Sequence, residues 1–327
     1  MSQHGTSAIW GWQGALTGIN NRLMHALTSG VLSDVEFAVG HDHGQPKTFR
    51  AHKLLLSLSS EVFDTMFNGS IPETDNGVVK IPEIASEAFG NMLNYLYTDQ
   101  MADLRWDNAF QTLYCAKKYG IPSLLDLCSD CIINSLTVDN CLANFEDALH
   151  LGAEKVQSKC LELVDSSSQA VFRSEAFSTI EKDTLEQLLT RDTLAIEENT
   201  VYNAVEKWAE NVCIRNNLES TASNRREVLG GALFLIRFPL ITDKEIVDGP
   251  GKTGLLLKEE LGDIYQCKHA TVKSQLMFSS FPRRPLPLVG AVRVGNYVSG
   301  QWANHSRAFV PNMQLHNRTR YPRGRLF

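Results

Sequence analysis

The sequence predicts a small α+β unit, then an all-α unit, then a basic tail. Three observations carry that division. Short runs of alternating or β-branched residues are confined to the first part of the chain, at 34–39, 47–50 and 78–81. From Pro122 to about Leu257, helical spacing recurs with no convincing strand. After Asp263 acidic residues stop, while Lys268, Lys273 and eight arginines follow.

That last feature divides the charge. The formal net charge is −6, yet residues 1–263 hold 21 basic and 37 acidic side chains, −16, and the remainder carries +10. With 327 residues and 43% apolar content, the chain can bury a large core spread over two or three domains. It has no apolar run of the roughly 18 residues a membrane helix needs. MSQHGTSAIWGWQG lacks the basic start and apolar stretch of a secretory signal. Seven cysteines scattered through helical patterns suit reduced thiols in a cytoplasmic protein better than a disulfide framework.

Taken in order, DVEFAV at 34–39 alternates apolar and polar and reads as a strand. HDHGQP at 41–46 is a turn, and KTFR after it the hairpin partner. FRAHKLLLSLSSEVFDTMF at 49–67 holds two short helices back to back, separated at Ser59-Ser60. The second carries Val62, Phe63, Met66 and Phe67, more large apolar groups than one inward face needs. NGSIPETDNG reads as a loop and VVKI at 78–81 as a further strand. Ser86 is placed to cap a helix whose stripe is Phe89, Met92, Leu93, Leu96 and Tyr97. Asp107 opens another; Gly120 ends it, Lys117 and Lys118 suit its C-terminus, and Pro122 starts the next. Val201, Ala204, Val205, Trp208, Ala209 and Val212 form one apolar stripe. Arg225 to Ile236 reads as a helix weakened by Gly230-Gly231, roughly 1 kcal/mol each. The tail from about Asp263 holds five prolines and few helix signals, so it reads as poorly structured, with its scattered Val, Phe and Tyr leaving short strands open.

No residue pattern assembles an enzyme. Cys128-x-x-Cys131 with Cys141 could suggest zinc, but the pair sits in a helical stretch with no His at finger spacing, so packed thiols are expected and no metal. His41 and His43 are solvated turn residues, and His52 has a structural place at a helix entrance. Gly251-Lys252-Thr253 fails as a phosphate loop because Ile246 stands where a glycine is required. No cofactor is implied. The tail's arginines are dispersed rather than set on one helix face, and no zinc finger or recognition helix accompanies them, so nucleic acid is not the expected partner.

DVEFAVG, FRAHKLLLSLSSEVFDTMF, KIPEIASEAFGNMLNYLYTD and YCAKKYGIPSLLDLC resemble a BTB/POZ domain from end to end. LTVDNCLANFEDALHLGAEKVQSKCLELVD resembles the start of a BACK domain, and RDTLAIEENTVYNAVEKWAE and NRREVLGGALFLIRFPLIT its later helices, close to the BTB–BACK–PHR group. The resemblance sets boundaries at 1–15 for an N-terminal segment, 16–136 for BTB/POZ, 137–262 for BACK and 263–327 for the tail. It implies a dimer and a substrate adaptor of a cullin-3 RING ubiquitin ligase, non-catalytic and cytoplasmic. Related BTB proteins are further partners, and the substrate is unknown.

Within that resemblance, Val62 and Phe63 face the core while Met66, Phe67 and Asn68 lie toward the cullin. Ile71-Pro72-Glu73 matches the family's apolar-x-Glu cullin-contact motif; in an extended segment, side chains two apart share a face. The dimer candidates are Ile19, Leu23 and Leu27 on an amphipathic helix, and the charges Asp34 and Lys53. Only 65 residues follow Gly262, too few for a PHR module of about 100–150. A truncated isoform, a divergent paralogue and an incomplete gene model all fit that length. The competing class is a BTB scaffold or transcriptional co-regulator that uses its basic tail on nucleic acid or acidic partners.

Overall fold

The computed structural model describes residues 11–40, 46–69, 78–101, 104–269 and 278–284. A helical turn, α1 (Trp12–Ala15), precedes α2 (Ile19–Ser29), which Gly30 ends in the left-handed conformation at φ 69°. A mixed sheet follows, built from β1 (Val35–Val39), β2 (Lys47–Ala51) and β3 (Val78–Ile81). β1 is central: it runs antiparallel to β2, Phe37 opposite Phe49, and parallel to β3, Phe37 opposite Val79. The alternation of DVEFAV sets the register, since Val35, Phe37 and Val39 are buried and a one-residue slip would expose all three.

Between β2 and β3 lie α3 (Lys53–Ser59) and α4 (Glu61–Asn68); α5 (Ser86–Thr98), α6 (Trp106–Lys118) and α7 (Pro122–Asn134) follow. Two helix starts differ from the sequence reading. Ala85 holds the capping position of α5, and Ser86 is already helical and buried. α6 begins at Trp106, where the Asn108 side chain accepts the Arg105 N–H at 3.0 Å; Asp107 pairs with Arg105 instead, at 3.2 Å. Gly120 at φ 63° and Pro122 at the first turn of α7 separate the two helices as read.

The chain continues through α8 (Cys141–Leu151), α9 (Glu154–Ser166), α10 (Ser168–Arg173), a 3-10 turn (Ala176–Thr179) and α11 (Lys182–Thr190). Next come α12 (Glu198–Arg215), α13 (Ala222–Leu229), α14 (Asp243–Ile246) and α15 (Lys258–His269). Among the described residues every strand precedes Pro82. Two apolar cores result, and the α8–α9 hairpin belongs to both. Phe145, Ala148, Val156 and Cys160 complete the core of the sheet unit, whereas Cys141, Leu142 and Val164 enter the helical core. Lys155 at the start of α9 reinforces the junction by pairing with Asp130 of α7 at 2.8 Å.

The α12 stripe faces inward: Val201, Val205, Trp208 and Ala209 are buried, Ala204 and Val212 half-buried, and the Trp208 indole donates to the Ile180 carbonyl at 2.9 Å. The helix expected over Arg225 to Ile236 stops at Leu229. Gly230 adopts φ 51°, ψ −122°, outside the helical region, and the chain proceeds as a 3-10 turn, Gly230–Leu235. Ending the helix there removes the cost of holding two glycines in its interior.

The described part of the tail belongs to the helical unit. α15 runs through position 262 to His269, and Lys268 pairs with Asp243. Residues 278–284 lie on the helical core: Phe278 is buried, its ring 5.1 Å from Phe238 and 5.6 Å from Phe234. Arg283 is buried with it, its Nε donating to Glu198 at 2.6 Å and its Nη1 to the Leu189 carbonyl at 2.9 Å. Composition could not reveal this, because an arginine among prolines looks solvated until its acidic partner, 85 residues away, is known. Residues 285–327, with the other six arginines, lie outside the described residues.

Two outcomes follow. Arg283→Met strands the buried Glu198 carboxylate and should cost about 3–5 kcal/mol in urea denaturation, with Arg283→Met/Glu198→Met recovering much of the loss. Burial pushes the Glu260 carboxyl up, but hydrogen bonds from Arg226 and the Leu257 N–H hold it below the ordinary carboxylate range. A depressed folded-state value means stabilisation that is present at neutral pH and lost on acidification. Glu260→Gln should therefore narrow the stability difference between neutral solution and about pH 4.

Candidate interaction surface

α4 is fixed by the junction at Ser60. Its hydroxyl accepts the Phe63 N–H at 3.2 Å, capping the helix, and donates to the Tyr119 carbonyl at 2.5 Å across the core. Phe63 then stacks on the Tyr119 ring, centroids 4.4 Å apart, and on Phe67 at 5.9 Å. This row turns one side of α4 inward and leaves Met66 and Phe67 half-buried at its far end. Asn68 is exposed, donating to Asp64 at 2.8 Å. Gly69 ends the helix where a Cβ would meet the Thr65 carbonyl oxygen at 2.3 Å, so a larger residue would force the exit to shift. Ile71 and Glu73 lie outside the described residues, as do His41 and His43.

Val62 corrects the sequence reading. It was expected in the core beside Phe63 but is 38% exposed, because the step of one helical residue carries it off the buried stripe. The surplus of apolar side chains sits chiefly in the preceding helix. Leu56 of α3 is buried, while Leu54 and Leu58, one turn apart, are 69% and 76% exposed. These two were missed, although the signal was present: KLLLSLS offers four leucines to a two-turn helix.

The dimer candidates divide by environment. Leu23 and Leu27 of α2 are half-buried against their own core, beside the buried Ala26, whereas Ile19 is 59% exposed. Asp34 and Lys53 meet as a cap: the Asp34 carboxylate accepts the backbone N–H of Lys53 at 2.7 Å, at the first residue of α3. The Lys53 ammonium lies 5.6 Å from the centre of the Phe67 ring, a cation–π contact that joins α3 to the end of α4. His52 has the structural place expected at the helix entrance. Its Nε2 donates to the Val31 carbonyl at 2.8 Å, and its Nδ1 lies at hydrogen-bond distance, 2.7 Å, from the Tyr97 hydroxyl. Burial pushes the Tyr97 hydroxyl up to about 12.

The cysteines are placed as packing groups. Cys128 is buried within α7, Cys131 half-buried on the next turn, and burial pushes the Cys128 and Cys115 thiols up to about 12. Thiols held protonated are poor nucleophiles and poor ligands. Among the described residues no three of His, Cys, Asp and Glu gather at metal-binding distance.

Comparison with known proteins matches this architecture. The BTB/POZ domain family matches residues 23–136, and the BACK family, BTB And C-terminal Kelch, residues 141–249. The chain is 34% identical over 298 residues to BTB/POZ domain-containing protein 3 of Homo sapiens, covering 90% of this chain and 56% of that protein. It is 33% identical over 299 residues to BTB/POZ domain-containing protein 6 of Homo sapiens, covering 91% and 55%. With BTB/POZ domain-containing protein 6-A of Danio rerio it shares 33% over 298 residues, 90% of this chain and 55% of the relative. It thus spans little more than half the length of the curated relatives it matches. The mixed sheet and the helical core form one known pairing: the chain is a BTB–BACK protein, related to BTB/POZ domain-containing proteins 3 and 6.

Proposed function

We propose that the chain is a dimeric, non-catalytic substrate adaptor of a cullin-3 RING ubiquitin ligase that works in the cytoplasm. The observation that carries this reading is the end of α4. Half-buried Met66 and Phe67 and exposed Asn68 stand where the chain enters the segment bearing Ile71 and Glu73. An apolar side chain there fills a groove on the scaffold, and the carboxylate accepts charge-assisted hydrogen bonds from it. Two such ends in a dimer offer two cullin sites and the avidity that follows. The exposed Leu54, Leu58 and Ile19 supply apolar area for the second copy, with related BTB proteins as alternative partners. No helix among the described residues is long and apolar enough to cross a membrane.

The scaffold or co-regulator reading draws on the basic tail. Two of that tail's cations, Lys268 and Arg283, are paired with Asp243 and Glu198 and so withdrawn from any phosphate backbone. Salt-dependent DNA binding by the full chain would favour it.

Ile71→Asp/Glu73→Lys should abolish cullin-3 co-purification while leaving the sedimentation coefficient unchanged; retained binding removes the ligase reading. Leu54→Asp/Leu58→Asp should sediment as a monomer, and a persistent dimer moves the interface elsewhere. Asp34 separates charge from capping. If the cap matters, Asp34→Asn keeps the dimer, because its amide oxygen still accepts the Lys53 N–H, whereas Asp34→Ala loses about 1 kcal/mol of stability. A monomer with Asn at that position shows that the charge itself is needed.

A further inference from the structure

The helical core carries a second feature, independent of the surface assigned to the cullin. A cavity of about 280 Å³ opens between α10, the 3-10 turn Ala176–Thr179 and α12. Its floor is apolar: Phe172 and Phe177 pack with centroids 4.5 Å apart, and Ala204 adjoins them. Arg173 and Lys207 stand in its wall with Thr200 and Asn203, and no carboxylate is among the lining residues. Ser174 and Ser178 complete the wall, with hydroxyls already donating to the Val171 and Glu175 carbonyls at 2.7 Å each.

The lining of this cavity combines two cations with no acid. Residues 1–263 carry a net −16, and four arginines of the helical core are drawn to acids, Arg191 to Asp165, Arg225 to Glu206, Arg226 to Glu260 and Arg283 to Glu198. Among the described residues neither Arg173 nor Lys207 meets a carboxylate at ion-pair distance. Two cations without an ion-pair partner, beside one cavity that no acid lines, favour a compact anion there, with Glu175, Glu206 and Glu210 outside the lining. The Thr200 hydroxyl and Asn203 amide add neutral donors to it.

We propose that this cavity takes a phosphorylated side chain, phosphoserine or phosphothreonine, of a partner protein. A phosphate near −2 is matched by two cations, whereas a carboxylate needs one. Its oxygens accept from arginine, lysine, hydroxyl and amide together, while the methylene or methyl of the residue lies on the phenylalanine floor. The volume suits one such side chain and is small for a nucleotide or a flavin.

The test uses the full chain and three fluorescein-labelled degenerate peptide pools, with phosphothreonine, threonine or glutamate at the centre, read by anisotropy at low salt. The phosphorylated pool should bind about tenfold or more tightly than the threonine pool, and weaken as salt rises. Arg173→Glu/Lys207→Glu should reduce it to the threonine level. Both side chains are exposed, so the fold should persist; if this variant melts early, Arg173→Ala/Lys207→Ala is read instead. Equal binding of phosphorylated and threonine pools overturns the proposal. So does a glutamate pool that binds as tightly as phosphothreonine, or affinity unchanged in the folded double variant. Cullin-3 binding plays no part in the measurement, so the adaptor reading and this one can fail separately.

Discussion

The orientation of α4 depends on one buried hydroxyl. Ser60 caps that helix and, with the same oxygen, holds the carbonyl that ends α6, so the two helices cannot turn independently. The Phe63–Tyr119 stack then converts a hydrogen bond into a rigid contact, since two large rings in parallel contact leave little freedom to rotate. Everything offered at the far end of α4 inherits its direction from this junction. An aromatic row of Phe37, Phe63 and Phe67 carries the constraint from the central strand to the half-buried edge.

The α8–α9 hairpin extends this rigidity into the helical part. A linker between domains would leave each core complete and the join wet. Here the hairpin contributes large side chains to both cores, so separating them would expose Phe145 and Val156 on one side or Leu142 and Val164 on the other. Burial of that kind, at roughly 25 cal/mol per Å², is what makes a two-core chain behave as one body. The end of α4 and the helices beyond α9 are therefore coupled through shared buried side chains rather than through a linker.

Much of this was legible in the sequence because it rests on local periods. The strand alternation of DVEFAV, the Gly120-x-Pro122 break and the α12 stripe are consequences of backbone geometry, and each stands where it was read. What sequence could not supply was the partner of each residue across the fold. Val62 and Leu58 have the same apolar character as Phe63 and Leu56, and only the packing of α3 and α4 decides which pair is covered. Asp34 and Lys53 were readable as opposite charges, but not that the carboxylate would take a backbone N–H while the ammonium lies over Phe67. Gly230 illustrates the remaining gap: propensity priced a glycine inside a helix, and the chain ended the helix instead.

The segment 278–284 shows why charge asymmetry is a poor guide to domain limits. A buried ion pair gains little net stability, because desolvating both partners offsets most of their attraction. Its effect is to make one arrangement much better than its neighbours. Glu198 accepts from Arg283 and also from the Arg237 N–H at 3.2 Å, and Arg237 in turn donates to the Phe281 carbonyl at 2.9 Å. The arginine can therefore sit in one place only, with the backbone of its own segment drawn in after it. Such a segment is specified by its far partner and not by its composition, which is why an arginine among prolines can belong to a core.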